Sequence, residues 1–121
     1  MKTLKLILSY ILGLILIGGG VMHFLKPGNY YGFIPDIFPQ DAIIYISGVI
    51  ELILGIGVFI PSMRHKASLG ILLLMLAFLP LHVMDVFREH PGIGSHQLAL
   101  IRLPFQFIFI GWAWFISRKD K

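Results

Sequence analysis

The segment DAIIYISGVIELILGIGVFIP, residues 41–61, decides the fold of this chain. Between Ala42 and Ile60, every residue except Ser47 and Glu51 is apolar, aromatic or glycine. A helix of about 20 such residues crosses the roughly 30 Å hydrocarbon core of a bilayer. The segment therefore predicts a transmembrane helix.

Within this segment, Glu51 carries a carboxyl group that needs polar partners from the rest of the chain. Glu51 follows Asp41 by ten residues, which places it roughly 15 Å into the membrane, near the midplane. A charge at that depth costs at least about 2.5 kcal/mol, so an intramembrane carboxylate marks a functional site by default. Ser47, Gly48 and Gly55 share its helix face at three- and four-residue spacing. Because small residues allow a neighbouring helix to approach closely, this face is predicted to look into a helix bundle.

The composition points to the same class of protein. The 121 residues are 57% hydrophobic and 13% charged, with a mean hydropathy of +0.86, whereas a soluble domain carries about 25% charged residues. The absence of cysteine excludes disulfides, thiolate metal sites and thiol redox chemistry in this chain. The net charge of +4 comes from basic residues that flank the apolar runs. We therefore interpret the charge as membrane topology and expect no binding of nucleic acid.

Four apolar runs are long enough to be membrane spans. The first follows Lys2 and Lys5 and resembles a signal peptide. Its apolar run is too long for a signal core and no A-x-A-like cleavage site follows, so we expect an uncleaved helix. The prediction is an all-α polytopic membrane protein, an antiparallel four-transmembrane-helix bundle that forms a single domain over residues 1–121. Its spans are expected at about 4–25, 42–60, 67–87 and 98–117.

Lysine and arginine are unevenly distributed between the two predicted sides. Seven lie in the amino terminus, the basic turn at 61–66 and the carboxyl terminus, whereas the other two loops carry only Lys26 and Arg88. The positive-inside rule then predicts that both termini are cytoplasmic. The expected location is the cell (inner) membrane, which the chain crosses several times. The lipid bilayer is therefore an expected partner.

The polar residues inside the spans share one half of the predicted membrane. At about 1.5 Å per residue from the cytoplasmic ends, they all lie near or beyond the midplane, while the inner half is nearly all aliphatic and aromatic. This distribution predicts a polar pocket that opens towards the outer face. The candidate pocket residues are His23, Ser47, Glu51, His82, Asp85, Arg102 and Gln106.

The first loop, residues 26–41, is rich in aromatic residues and is broken by proline. One interpretation is an aromatic belt that sets the depth of the protein in the membrane. The other is a hydrophobic cap over the mouth of the bundle, formed by Tyr30, Tyr31 and Phe33. The sequence leaves both open.

The individual pocket residues also have structural interpretations. Glu51 is predicted either to fix helix register by pairing with Arg102 or Gln106 or to act in binding or proton handling. Arg102 lies near a span end, where it is also placed to extend to the headgroups. His23, Glu51, His82 and Asp85 have the ligand chemistry of a metal site. Because no two histidines have tight spacing, we expect no metal.

Three segments together resemble the DoxX-like family of small four-span membrane proteins (DoxX/DoxD-related). They are HFLKPGNYYGFIP at 23–35, IYISGVIELILGIGVFIPSMR at 44–64 and RLPFQFIFIGWAW at 102–114. The third span departs from the family pattern, because it reads LPLHVMD at 79–85 and places His82 where the family has an asparagine.

The resemblance implies two alternative functions. Family members include a quinone-reducing membrane subunit of thiosulfate oxidation, a component of oxidative-stress membrane complexes and, more distantly, animal chaperones for receptor assembly. The first implication is a redox-associated subunit whose pocket binds a quinone, with Arg102, Gln106 or His23 donating hydrogen bonds and Glu51 accepting or relaying a proton. The second is a non-catalytic scaffold or assembly factor in which the polar cluster only holds the helices together.

In either case the sequence predicts a component rather than an enzyme that acts alone. No haem-attachment or flavin motif is visible, so no cofactor within the chain is expected and any quinone would be a ligand. A catalytic role would belong to a membrane oxidoreductase complex, with a partner subunit or a second copy of this chain.

Overall fold

The computed structural model describes residues 2–118, and this part of the chain is all-helical, without strands. Each of its four long helices is long and apolar enough to cross a membrane. Two short 3₁₀ turns, Pro27–Asn29 and Tyr31–Phe33, lie in the loop between the first two long helices. The long helices are α1 (Lys2–Leu25), α2 (Gln40–Gly57), α3 (Arg64–Phe87) and α4 (His96–Ser117).

All four helices begin two or three residues before the predicted spans, because their first turns are polar. The start of α4 is fixed by Ser95, whose hydroxyl accepts a hydrogen bond from the Leu98 N–H at 3.1 Å. Such a cap satisfies one of the free N–H groups of the first helical turn. The helix α2 ends earlier than predicted, at Gly57, and the turn that follows occupies residues 58–63.

The prediction of a basic turn at 61–66 was wrong in its second half, because Arg64 already opens α3. Its Nε donates to the Val58 carbonyl at 2.7 Å, and its Nη2 donates to the Phe59 carbonyl at 3.4 Å and the Tyr10 hydroxyl at 3.3 Å. Carbonyls at the end of a helix lack partners within that helix. One arginine therefore caps α2 and links α1, α2 and α3 at this end of the molecule.

The helices pack as two close pairs, α1 with α2 and α3 with α4. In the first pair, glycines bring the two backbones into contact. A Cβ atom added at Gly20 would lie 2.9 Å from the carbonyl oxygen of Gly48, and one added at Gly55 would lie 2.9 Å from that of Gly13. Small residues at such crossings permit close helix association, and here they bring polar groups of α1 and α2 together.

Most large apolar side chains of the helices point outwards. The buried core is small and is formed by Leu12, Leu16, Val58, Ala67, Ile71, Met75, Ala113 and Ile116. By contrast, Leu14 is 62% exposed, Leu73 67% and Leu100 58%. Soluble monomers rarely expose extended apolar surfaces. Four candidate membrane-spanning helices with apolar outer faces suggest a membrane protein.

Candidate functional site

A cavity of ≈680 Å³ is lined by residues of all four long helices and of the two loops that follow α1 and α3. Its wall is mainly apolar, with Ile15, Ile44, Phe78 and Phe109 as examples from α1 to α4. Ligand pockets commonly have about 300–1,000 Å³ and an apolar wall with few polar groups. The polar side chains on this wall include His23, Ser47, Glu51, His82 and Arg102.

The first polar group on the wall, here named the histidine–glutamate cluster, consists of His23, Ser47 and Glu51. The Nε2 atom of His23 lies 2.7 Å from Glu51 Oε2, and both residues are buried. On the other side of the ring, Nδ1 lies 2.8 Å from the Ile44 carbonyl oxygen and 3.2 Å from the Ser47 hydroxyl. A carbonyl oxygen only accepts, so Nδ1 carries a hydrogen.

The 2.7 Å contact between Nε2 and Oε2 is short enough for His23 and Glu51 to share one proton. With Nδ1 protonated, Nε2 faces the carboxyl group either as the donor of an imidazolium or as the acceptor of a protonated Glu51. In both states the pair is neutral overall. Oε2 has no well-directed hydrogen bond in spite of the short contact, so it keeps acceptor capacity.

The surroundings hold the histidine–glutamate cluster in place. A Cβ atom at Gly19 would lie 3.1 Å from Glu51 Oε1, so the glycine leaves room for the carboxyl group. In the loop, the ring of Tyr30 stacks on that of His23 with 4.1 Å between centroids. Burial, and to a smaller extent the charge of Glu51, raise the pKa of Tyr30 above its usual value. Its phenol therefore stays protonated at neutral pH.

The second polar group, here named the arginine–glutamine cluster, consists of Arg102 and Gln106 on α4. Arg102 Nη2 donates to Gln106 Oε1 at 3.0 Å, and Gln106 Nε2 donates to the Met75 carbonyl of α3 at 2.7 Å. The Phe109 ring lies 5.4 Å from the guanidinium carbon. Arg102 Nη1, however, is buried without a hydrogen-bond partner, and no ion pair among residues 2–118 involves Arg102.

The structure places most predicted pocket residues on the cavity wall. His23, Ser47, Glu51, His82 and Arg102 line it, together with Tyr30 and Phe33 of the predicted cap. Gln106 lies off the wall and is fully buried. Of the pairings that the sequence left open for Glu51, neither the one with Arg102 nor the one with Gln106 is present among the described residues, and Glu51 contacts His23 instead.

Asp85, a candidate pocket residue, and Tyr31, a candidate cap residue, do not lie on the cavity wall. Asp85 lies in the last turn of α3, where its carboxylate accepts hydrogen bonds from the N–H groups of Gly92 and Ile93 and pairs with Arg88 at 3.5 Å. Tyr31 donates to the Asp41 carboxylate on the surface. Hydrogen bonding to Asp41 raises the pKa of the Tyr31 phenol.

The second loop, residues 88–95, also covers the cavity, which the sequence did not predict. Gly92 and Ile93 line the cavity, and a Cβ atom at Gly32 would lie 2.7 Å from Gly92 Cα, so the two loops touch. The guanidinium of Arg88 bridges them by donating to the carbonyls of Gly32 and Phe33. In the sequence, the feature that could have indicated this contact is the presence of glycine in both loops, because glycine permits two backbones to approach closely.

Within residues 2–118, no group of three or more histidine, cysteine, aspartate or glutamate side chains is placed to hold a metal ion. His82 contributes its ring to the wall and meets the edge of Phe33, with 5.4 Å between centroids.

The chain belongs to a family defined by a domain of unknown function, DUF8561, whose model matches residues 12–117. The match runs from the middle of α1 to the end of α4 and includes both polar clusters. No curated protein and no solved structure matches the chain.

Proposed function

We propose that this protein is a membrane-embedded, redox-associated subunit whose cavity binds a quinone or a similar apolar carbonyl compound. In this proposal the four helices cross the cell membrane as an antiparallel bundle of the DoxX-like type, with both termini in the cytoplasm. The seven-to-two distribution of basic residues supports that orientation. The two loops then cover the cavity on the outer side.

One observation carries the proposal: the cavity combines an unpartnered donor and an incompletely satisfied acceptor. Arg102 Nη1 and Glu51 Oε2 are both buried without a hydrogen-bond partner, and both residues line the cavity. A buried polar atom left in this state costs about 1–3 kcal/mol. A quinone carbonyl oxygen would accept a hydrogen bond from Arg102, and a hydroxyl of the reduced ring would donate one to Glu51, while the apolar body would contact the aliphatic and aromatic wall.

The roles follow from the contacts. Arg102 would donate to one ligand oxygen, and Gln106 would act indirectly, because its amide is already engaged with Arg102 and Met75. Glu51 would exchange a proton with the ligand, and His23 would share that proton through the contact between Nε2 and Oε2. Electrons would come from a partner subunit or another reductant, since the residues of the cavity supply only proton and hydrogen-bond chemistry.

The test is a thermal-shift titration of the detergent-purified protein with a panel of quinones. Wild type is expected to show a saturable shift, which Glu51→Gln and Arg102→Ala reduce. Lys66→Gln is the matched control, because Lys66 is an exposed cation outside the cavity. If wild type shows no shift with any quinone, the proposal fails.

A scaffold role is the second candidate, and it is favoured by a separate observation. The polar contacts join neighbouring helices: His23 joins α1 to Glu51 and Ile44 of α2, and Gln106 joins α4 to α3. If holding the bundle is their only task, Glu51→Gln lowers the melting temperature and the recovery of partner proteins, and no quinone changes either value.

A further inference from the structure

Arg102 brings a positive charge to the cavity wall that no described residue balances. Its Nη2 is held by the neutral Gln106 and its face lies near the Phe109 ring. Its Nη1, buried and without a partner, belongs to a side chain that lines the cavity. Burying a charge is expensive unless an opposite charge and hydrogen bonds compensate it.

No other titratable group among the described residues of the wall forms an ion pair with Arg102. Glu51 is the one carboxylate among the described residues of the wall, and its contact is with His23 rather than with Arg102. His82 is either neutral or positive, and the phenol of Tyr30 is protonated. The acidic residue nearest along α3, Asp85, is engaged with the second loop and with Arg88.

We infer that the cavity selects an anion: an apolar molecule with one ionised oxygen acid, whose negative oxygen pairs with Arg102 Nη1. This inference rests on the proposed function, because it concerns the ligand of the same cavity. The acidic group is a carboxylate on an aliphatic chain or the ionised hydroxyl of a quinone, which present the same charged oxygen to the arginine.

The fixed position of the guanidinium determines how the acid binds. Gln106 accepts a hydrogen bond from Nη2 and donates one to the Met75 carbonyl. The guanidinium therefore cannot rotate without losing its bond to Gln106. Nη1 carries two hydrogens and remains for the ligand. The apolar body would then lie along Phe78, Leu81 and Ile15 of the wall.

The experiment compares neutral and anionic probes of matched shape. Menadione is a neutral naphthoquinone, and lawsone carries an acidic hydroxyl in place of the methyl group; dodecanol and dodecanoate form the corresponding aliphatic pair. Apparent dissociation constants are measured by thermal shift on wild type, Arg102→Gln and the control Lys66→Gln. Charge-assisted hydrogen bonds are roughly twice as strong as neutral ones. We therefore expect each anion to bind about tenfold more tightly than its neutral partner.

The expected pattern is that Arg102→Gln removes the preference for the anion in both pairs, whereas Lys66→Gln retains it. If menadione binds as tightly as lawsone in wild type, the anion inference is overturned and the quinone function stands. If dodecanoate alone binds and its binding depends on Arg102, the anion inference stands and the quinone function falls. Binding of none of the four probes would overturn both.

The decision does not depend on Arg102→Gln. The comparison of matched probes on the wild-type protein already separates the outcomes should the variant fail to fold.

Discussion

The histidine–glutamate cluster on α1 and α2 and the arginine–glutamine cluster on α4 line one cavity, but they are completed in different ways. In the first, the ring of His23 and the carboxyl group of Glu51 contact each other at 2.7 Å. In the second, Arg102 is held only by the neutral Gln106 and keeps an unpartnered nitrogen. The first cluster therefore has the features of a stabilising contact between two helices. The second has the features of a binding site for a negatively charged group.

This difference shows that burial alone does not distinguish a structural polar group from a ligand-binding one in this chain. Both clusters are polar groups inside apolar helices, and each one links its helix to a neighbour. What separates them is whether the charge finds its partner within the chain. Stability measurements on matched variants test the distinction directly.

The largest effect is expected from Glu51→Ala. It leaves His23 Nε2 buried without its partner, and breaking a buried pair in this way costs about 3 kcal/mol in the free energy of unfolding. The measurement is unfolding in mixed detergent micelles, with His23→Ala and the double variant completing a cycle. The double variant should lose less than the sum of the single losses; additive losses would show that the two residues do not interact.

A smaller loss of unfolding free energy is expected from Gly20→Ala, because the added methyl group would push α1 and α2 apart. The new methyl group would lie 2.9 Å from the Gly48 carbonyl oxygen and 2.8 Å from Leu52 Cγ, and overpacking of this kind costs about 2 kcal/mol. Gly18→Ala is the control, because nothing lies within 4 Å of its Cβ position. The control should gain up to about 1 kcal/mol from helix propensity. Stabilisation by both variants would contradict the close contact.

Gln106→Leu is expected to cost about 2 kcal/mol, since it removes one buried hydrogen bond to Met75 and one to the charged Arg102. Gln97→Leu, an exposed position on the same helix, should change the unfolding free energy by much less. Gln106→Leu should also weaken ligand binding, because the guanidinium loses its anchor. Unchanged binding would show that Gln106 does not position Arg102.

The smallest effect on stability is expected from Arg102→Gln. Removing a charge that lacks a counter-ion offsets the lost hydrogen bond, so the free energy of unfolding should stay within about 0.5 kcal/mol of wild type. The same unfolding assay measures it beside Glu51→Ala. A loss as large as that of Glu51→Ala would mean that Arg102 is already satisfied within the folded chain, and the comparison of the two clusters would collapse.

The structure also shows where reasoning along single helices fails. His82 and Asp85 have the three-residue spacing that places side chains on one face, yet His82 lines the cavity and Asp85 binds the second loop. Asp85 lies in the last turn of α3, where the N–H groups of the following loop compete for its carboxylate. Spacing within a helix does not reveal that competition, because it depends on the path of the loop.

The sequence by itself determined the four long apolar helices, since hydropathy and length depend only on local composition. It also determined that Glu51 needs a partner within the bundle, because a carboxyl group cannot remain unsatisfied among apolar side chains. Only the tertiary structure decided that the partner is His23 and that Arg102 has the neutral Gln106 but no acidic partner among the described residues. The choice depends on how the helices rotate and cross, and the glycine contacts between α1 and α2 set that geometry through atoms far apart in the chain.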